Sequence, residues 1–175
     1  TAPPSQAKAS REFPPGSGPL VSEAQRYFAA QQFDKAEAAY LQVLKLDEKN
    51  VPALANLAAI QVEAKHYDAA EGTLNQALSV ASDDAYTLYV QGLLKFRQTK
   101  YDDALDALSR AAKLDPKNPE VQNYLGLTLS EKGLRGPAES ALRKAIELQP
   151  NYAGAHYNLA LFYITQHPKY PALAR

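Results

Sequence analysis

The sequence predicts an all-α protein built from antiparallel helix hairpins that repeat every 34 residues. Small and apolar residues return at this interval, and no insertion interrupts the count. Prolines follow some of the apolar runs, and a residue without an N–H group cannot continue a helix. A single hairpin cannot bury its own apolar face, so successive hairpins are expected to stack on one another.

Equivalent positions in the second helix of each hairpin define the repeat. They hold small or apolar residues in four sets: Ala36, Ala70, Ala104 and Ala138; Tyr40, Leu74, Leu108 and Leu142; Val43, Ala77, Ala111 and Ala145; Leu46, Val80, Leu114 and Leu148. In the first helices, small residues recur at Ala58, Gly92, Gly126 and Ala160. Helix axes approach closely where the side chains at the contact are small, so these residues mark the predicted contact inside each hairpin.

An aromatic residue followed by Asp precedes the second helix in three hairpins: Phe33-Asp34, Tyr67-Asp68 and Tyr101-Asp102. Together with the period, the paired small residues and the terminal Pro116 and Pro150, this pattern resembles the tetratricopeptide repeat (TPR). The resemblance covers about nine-tenths of the chain. It implies a TPR α-solenoid of four full repeats and one incomplete C-terminal repeat.

Composition and the repeat register divide the chain into a tail and an array. Residues 1–19 hold five prolines and two glycines and are predicted to form a Pro-rich flexible tether. Alternatively, the segment around Phe13, an aromatic residue beside two prolines, docks in a groove. The array is predicted over residues 20–175, with repeats at about 20–50, 51–84, 85–118, 119–152 and 153–175, the last incomplete.

Helix ends are predicted from capping residues. Asn50 and Asn118 each precede a proline in the first helical turn and are predicted N-caps of first helices. Asp68 and Asp102 are predicted N-caps of second helices, and Gly136 takes that place in the fourth repeat, with a proline opening the helix. In the first repeat the helices are expected near residues 20–31 and 34–46.

The charge balance excludes some classes of partner. Nineteen basic and nineteen acidic residues cancel and are interspersed, whereas nucleic-acid binding needs a concentrated positive face. No run of eighteen apolar residues and no secretory signal pattern occurs, so no membrane insertion is predicted within this stretch. The absence of cysteine excludes disulfides and thiolate metal sites. The compartment, cytoplasmic or periplasmic, stays open.

Residues suited to catalysis are scattered. His66, His156 and His167 lie far apart in the sequence, with no Cys or carboxylate at ligand spacing, so neither a metal site nor a cofactor is predicted. There is no glycine-rich phosphate loop and no nucleophile elbow. Acidic pairs such as Asp83-Asp84 are interpreted as caps and loop charges. The sequence therefore predicts a protein that is not an enzyme.

The resemblance implies where a partner binds, because the first helices of TPR arrays line a concave groove that holds an extended peptide. The implied groove residues are Asn56, Tyr86, Tyr89, Leu93, Phe96, Asn123, Leu127, Tyr157, Asn158 and Leu161. Some TPR proteins clamp a C-terminal carboxylate with Lys and Arg at such places, but these are missing here and that activity is not implied. Asn56 and Asn123 are candidates for hydrogen bonds to a peptide backbone.

The stripe formed by Tyr89, Leu93 and Phe96 is the most specific part of this expectation. These residues follow helical spacing and turn away from Leu88 and Gly92, which the repeat register assigns to the core. An apolar face directed outward indicates that a ligand, a partner subunit or the chain's own tail covers it. The alternative is that these rings pack against adjacent helices.

These observations predict a non-catalytic protein–protein interaction scaffold that binds a peptide or protein segment in the groove. One alternative is self-association into a homo-oligomer, through the groove or through the open C-terminal end between Tyr157 and Ile164. Another is a TPR array appended to an enzyme that lies outside these residues.

Overall fold

The computed structural model describes residues 12–165, and within them the chain forms nine α-helices and no strand. In chain order they are α1 Gly18–Ala29, α2 Phe33–Leu46, α3 Val51–Glu63, α4 Tyr67–Val80, α5 Ala85–Arg97, α6 Tyr101–Leu114, α7 Pro119–Glu131, α8 Arg135–Leu148 and α9 Ala153–Thr165. The predicted all-α class is confirmed. The chain divides into two compact units, Thr1–Val90 and Gln91–Arg175, with the boundary inside α5.

The helix starts follow the predicted period. The second helices α2, α4, α6 and α8 begin 34 residues apart. The turn that leads into each of them contains one residue with positive φ, and these residues are also 34 apart: Gln31 at 57°, Lys65 at 64°, Thr99 at 59° and Gly133 at 73°. A left-handed residue after a helix reverses the chain within a few residues. The sequence therefore repeats a backbone turn as well as an apolar pattern.

The first unit is held together by packing between successive helices. α1 packs on α2, α2 on α3, and α3 on α4. The residues of one buried apolar cluster come from the first three helices: Val21, Ala24, Ala36, Ala39, Tyr40, Val43, Ala53, Leu57 and Ile60. Since this cluster includes side chains of both the first hairpin and the next, each hairpin buries its apolar face on its neighbour, as the repeat requires.

The segment before α1 is folded from Glu12 onward. The Phe13 ring lies 6.1 Å from the Tyr40 ring, and Asn50 Nδ2 donates a hydrogen bond to the Glu12 carbonyl at 2.8 Å. Ser17 is fully buried, and α1 begins directly after it. The tether boundary predicted at residue 19 is therefore too late. Residues 1–11 lie outside the described residues, and there the tether stays a prediction.

The second unit packs in the same way. α6 contacts α7, α7 contacts α8, and α9 contacts both α7 and α8. Gly126 of α7 faces α8 so closely that a Cβ atom at this position would lie 2.6 Å from Leu142 Cγ. Gly92 stands in the same relation to Leu108, at 2.5 Å. The predicted close contact inside the hairpin is thus present, and in both hairpins the glycine of the first helix faces a leucine of the second.

The predicted caps Asn50 and Asn118 are confirmed, and Asp84, one of the acidic residues interpreted as caps and loop charges, also caps a helix. The side chains of Asn50 and Asn118 accept backbone hydrogen bonds from the third residue on, at 3.0 and 3.2 Å. Asp84 does the same for α5, at 2.9 Å from the Thr87 nitrogen. These bonds satisfy amide groups in the first helical turn that have no partner within the helix.

The predicted caps of the second helices are wrong. α4 and α6 begin at the aromatic residue, so Asp68 and Asp102 lie inside the first turn instead of ahead of it. In the first turn, their negative charge interacts favourably with the positive end of the helix dipole and stabilises the helix. α8 begins at Arg135, two residues before Pro137. In the first repeat, the helices begin at Gly18 and Phe33, slightly before the predicted starts.

Candidate functional site

Two tyrosines of α5 lie together in the first unit. The rings of Tyr86 and Tyr89 are 6.1 Å apart at 37° to each other. Tyr86 is exposed and Tyr89 half-buried. In the same unit, burial raises the pKa of the Tyr40 phenol to about 12, and the Tyr86 phenol adds to this shift. In the first unit, the exposed Tyr86 ring thus interacts with the buried Tyr40 phenol.

The remainder of the predicted α5 stripe is packed into the protein. Leu93 is only 6% exposed, so its predicted exposure is wrong. The Phe96 ring contacts Tyr101 of α6 at 5.6 Å and Tyr124 of α7 at 5.8 Å. The alternative that these side chains pack against adjacent helices therefore describes Leu93 and Phe96. An apolar residue on a repeat's first helix meets the next hairpin as well as its own, which the sequence register alone did not reveal.

A chain of side-chain hydrogen bonds joins α7 to α9. Asn123 is 4% exposed; its Oδ1 accepts from Asn158 Nδ2 at 2.9 Å, and its Nδ2 donates to the Tyr152 hydroxyl at 3.4 Å. The side-chain amide of Asn123 therefore makes its hydrogen bonds within the protein, and one of them holds the Asn158 side chain in place. Asn158 is half-buried, and its Oδ1 has no hydrogen-bond partner among the described residues.

Exposed apolar side chains stand beside Asn158. Tyr157 is 68% exposed and Leu161 is 42% exposed, one helical turn apart on α9. Leu127 on the adjacent α7 is half-buried. We call the four residues Leu127, Tyr157, Asn158 and Leu161 the α7–α9 surface. No Asp, Glu, Lys or Arg occurs in α9, so this surface is apolar and carries an amide group.

A second set of polar contacts fixes α9 on α8. The Tyr163 hydroxyl donates to Glu139 Oε1 at 2.7 Å and accepts from Arg143 Nη2 at 2.6 Å. Arg143 also pairs with Glu139 at 2.7 Å. Together with Phe162, which is buried among residues of α7 and α8, these contacts orient α9. The α7–α9 surface therefore belongs to a helix held by α7 and α8.

The amide of Asn56, another predicted groove residue, turns back on its own helix. Its Nδ2 donates to the Pro52 carbonyl at 2.8 Å. The structure thus brings together only part of the predicted set. Leu127, Tyr157, Asn158 and Leu161 lie on two neighbouring helices, Tyr86 and Tyr89 form a separate pair in the first unit, and Leu93 and Asn123 are buried.

One polar cluster was missed by the sequence analysis. Asp34, Glu37 and His66 place their ligand atoms within 4.8 Å of one another, so the expectation that no carboxylate lies at ligand spacing from His66 is wrong. Glu37 and His66 are 29 residues apart, and the stacking of hairpins brings them together. The sequence did contain a signal for this cluster: Asp34 and Glu37 stand at the start of a second helix, and His66 follows about one repeat later.

No helix within residues 12–165 is both long enough and apolar enough to cross a membrane.

Models of known families match the chain over most of its length. Models described as tetratricopeptide repeat or TPR repeat match residues 27–94, 92–133 and 119–152. A crystal structure of MamA superposes with a TM-score of 0.66 at 25% identity, covering 90% of this chain and 84% of that one.

Curated relatives share the repeats as part of longer proteins. The protein O-mannosyl-transferase TMTC3 of Homo sapiens is 29% identical over 133 residues, which are 74% of this chain and 14% of that protein. A peroxisomal targeting signal receptor of Candida glabrata is 31% identical over 70 residues, 40% of this chain and 12% of the receptor. The chain thus spans a small fraction of either relative's length. The repeat spacing, the helix hairpins and the family models agree, and the chain belongs to the tetratricopeptide repeat family.

Proposed function

We propose that this chain is a non-catalytic scaffold that binds an extended peptide segment of a partner protein across α7 and α9. Its architecture is that of a protein-interaction scaffold, because stacked hairpins present side chains from successive helices along one face. One relative is by its name a receptor for a targeting signal, which supports a receptor role for the repeats here. The transferase activity named for TMTC3 is not carried over, since the chain covers only 14% of that protein.

The observation that carries this proposal is the combination of exposed Tyr157 and Leu161 with the oriented amide of Asn158. Two exposed apolar side chains one turn apart supply anchors for apolar peptide side chains. The Asn158 carbonyl oxygen accepts a peptide N–H group, and the buried Asn123 holds it in position. A preorganised amide loses less conformational freedom on binding than a free one.

A selection from a random peptide library tests this function. We expect the chain to enrich peptides that carry two apolar residues separated by a short stretch of chain. The double variant Tyr157→Ala/Leu161→Ala should bind these peptides at least about tenfold more weakly. Leu41→Ala removes a side chain that is 50% exposed on α2 and serves as the matched control. Equal binding by the double variant and the control would show that the peptides bind elsewhere.

Self-association is a second candidate, favoured by the same helix. Ile164 extends the exposed apolar line of Tyr157 and Leu161 by a further turn and is 38% exposed. If two copies joined through this face, light scattering over a concentration series would show a dimer that Ile164→Asp converts to a monomer. A molar mass that stays monomeric at all concentrations would leave peptide binding as the role of the surface.

A further inference from the structure

The cluster of Asp34, Glu37 and His66 lies in the first unit, whereas the α7–α9 surface belongs to the second. His66 Nδ1 is 2.7 Å from Glu37 Oε1, and a ligand atom of each of the three side chains lies within 4.8 Å of the other two. Glu37 is partly buried, whereas Asp34 and His66 are exposed. The proposed peptide binding does not use any of these residues.

Local structure explains why the three side chains meet. Asp34 and Glu37 are three residues apart in the first turns of α2, so they lie on the same helix face. His66 directly precedes α4, and its N–H donates to the Gln61 carbonyl at 2.8 Å, which closes the turn after α3. The His66 backbone is thereby fixed, and its side chain extends to the helix of the preceding hairpin.

We propose that Asp34, Glu37 and His66 bind a divalent transition-metal ion, with Zn²⁺ as the preferred ion. One imidazole nitrogen and two carboxylate oxygens suit a borderline ion, whereas Ca²⁺ and Mg²⁺ prefer about six or more oxygen ligands. Bonds of about 2.0–2.2 Å place tetrahedral ligand atoms about 3.4 Å apart. The observed separations require side-chain shifts of about 1 Å, which exposed side chains make by rotation.

The surroundings leave room for a fourth ligand. A cavity of about 410 Å³ is lined by Asp34 and His66, so a water molecule reaches the open coordination position from that side. Lys35 also lines this cavity, but its ammonium group lies 5.5 Å from the centre of the Tyr27 ring and is engaged there. Metal binding breaks the hydrogen bond between His66 Nδ1 and Glu37, and the proton of that bond passes to His66 Nε2 or to solvent. The two carboxylates supply the negative charge that balances the divalent ion.

The repeat supplies a comparison inside the chain. One period later, the places of Asp34, Glu37 and His66 hold Asp68, Glu71 and Lys100. Lys100 occupies the residue before α6 with nearly the same backbone angles that His66 has before α4, φ −86° against −83°. His66→Lys therefore introduces a residue that this turn accepts, places an ammonium group near Glu37, and removes the metal-binding nitrogen.

Calorimetric titration of the full chain with ZnCl₂ tests the proposal. We expect one saturable site, unaffected by excess MgCl₂, with an affinity at least about tenfold lower in His66→Lys and in Glu37→Gln. His156→Lys is the matched control, because His156 is exposed on α9 and its ring bonds to the Pro150 carbonyl rather than to a carboxylate. Since the ion joins two hairpins, the Tm should also rise with ZnCl₂ concentration in the wild type and in the control alone.

The imidazole resonances of His66 give a readout independent of affinity. Zn²⁺ should shift the ring nitrogen signal of His66 and leave that of His156 unchanged. Unchanged affinity in His66→Lys with a native circular dichroism spectrum would place the ion elsewhere and overturn the proposal. The absence of saturable binding at about millimolar Zn²⁺ would also overturn it.

Discussion

At the scale of single residues, the turn inside each hairpin depends on one residue with a left-handed backbone. Gln31, Lys65 and Thr99 adopt this conformation with a Cβ atom, at a cost of about 1–2 kcal/mol each. The cost is largest for a β-branched residue, as at Thr99. Gly133 meets the same requirement without it. Three of the four turns therefore retain local strain that stacking of the helices offsets.

Thr99→Gly is expected to stabilise the protein by about 0.5–1 kcal/mol. Relief of the left-handed strain outweighs the extra freedom that glycine gives the unfolded chain. Gly133→Ala should have the opposite effect, with a loss of about 1 kcal/mol. Urea unfolding curves of the two variants check both signs. A destabilised Thr99→Gly would mean that the threonine side chain contributes more than its backbone costs.

Tyr40 makes stability depend on alkaline pH. Burial raises the pKa of its phenol from 10.0 to about 12, so the folded state holds the proton more tightly than the unfolded state. This contribution is complete below pH 10 and is lost as the pH rises from 10 to about 12. In Tyr40→Phe, the free energy of unfolding should fall less steeply across this window. Equal slopes in urea unfolding series would show that another group causes the loss.

At the scale of helices, the close contact between α7 and α8 depends on a residue without a side chain, Gly126. Gly126→Leu should destabilise by about 2–4 kcal/mol, because the new side chain has to displace Leu142. Gly72→Ala is the matched control: it lies inside α4 with no atom within 4 Å of the added Cβ, and should stabilise by about 0.5–1 kcal/mol. Thermal unfolding distinguishes the two. If Gly126→Leu melts like the parent, the assigned helix contact is incorrect.

Helix order and period were predictable, because small residues and breaks repeat at a fixed interval. The ends were less so. Asp68 and Asp102 are typical capping residues, yet the helices begin one residue earlier, at aromatic residues that are half-buried. In these two helices the half-buried aromatic residue, and not the Asp, holds the first helical position. The caps Asn50 and Asn118 were predicted correctly, since each Asn stands just ahead of a proline in the first helical turn, where both residue types are favoured.

At the scale of the whole molecule, the sequence register identifies which helices are equivalent but not which of their side chains remain exposed. Leu93 and Tyr157 both lie on first helices, yet one is 6% exposed and the other 68%. Exposure depends on the side chains of the following hairpin, which change from repeat to repeat. The register also concealed the approach of His66 to Glu37, because neither is one of the recurring small and apolar residues that define the repeat.

The central claim, that a peptide binds across α7 and α9, is tested most directly by NMR titration with a selected peptide. We expect the largest shift changes at the backbone amides of α7 and α9 and at the side-chain amide of Asn158, with little change in α6. In Asn158→Ala, the same peptide should bind more weakly while the spectrum of α6 stays native. Shift changes confined to α6 and α8, with the Asn158 amide unchanged at saturation, would contradict the account.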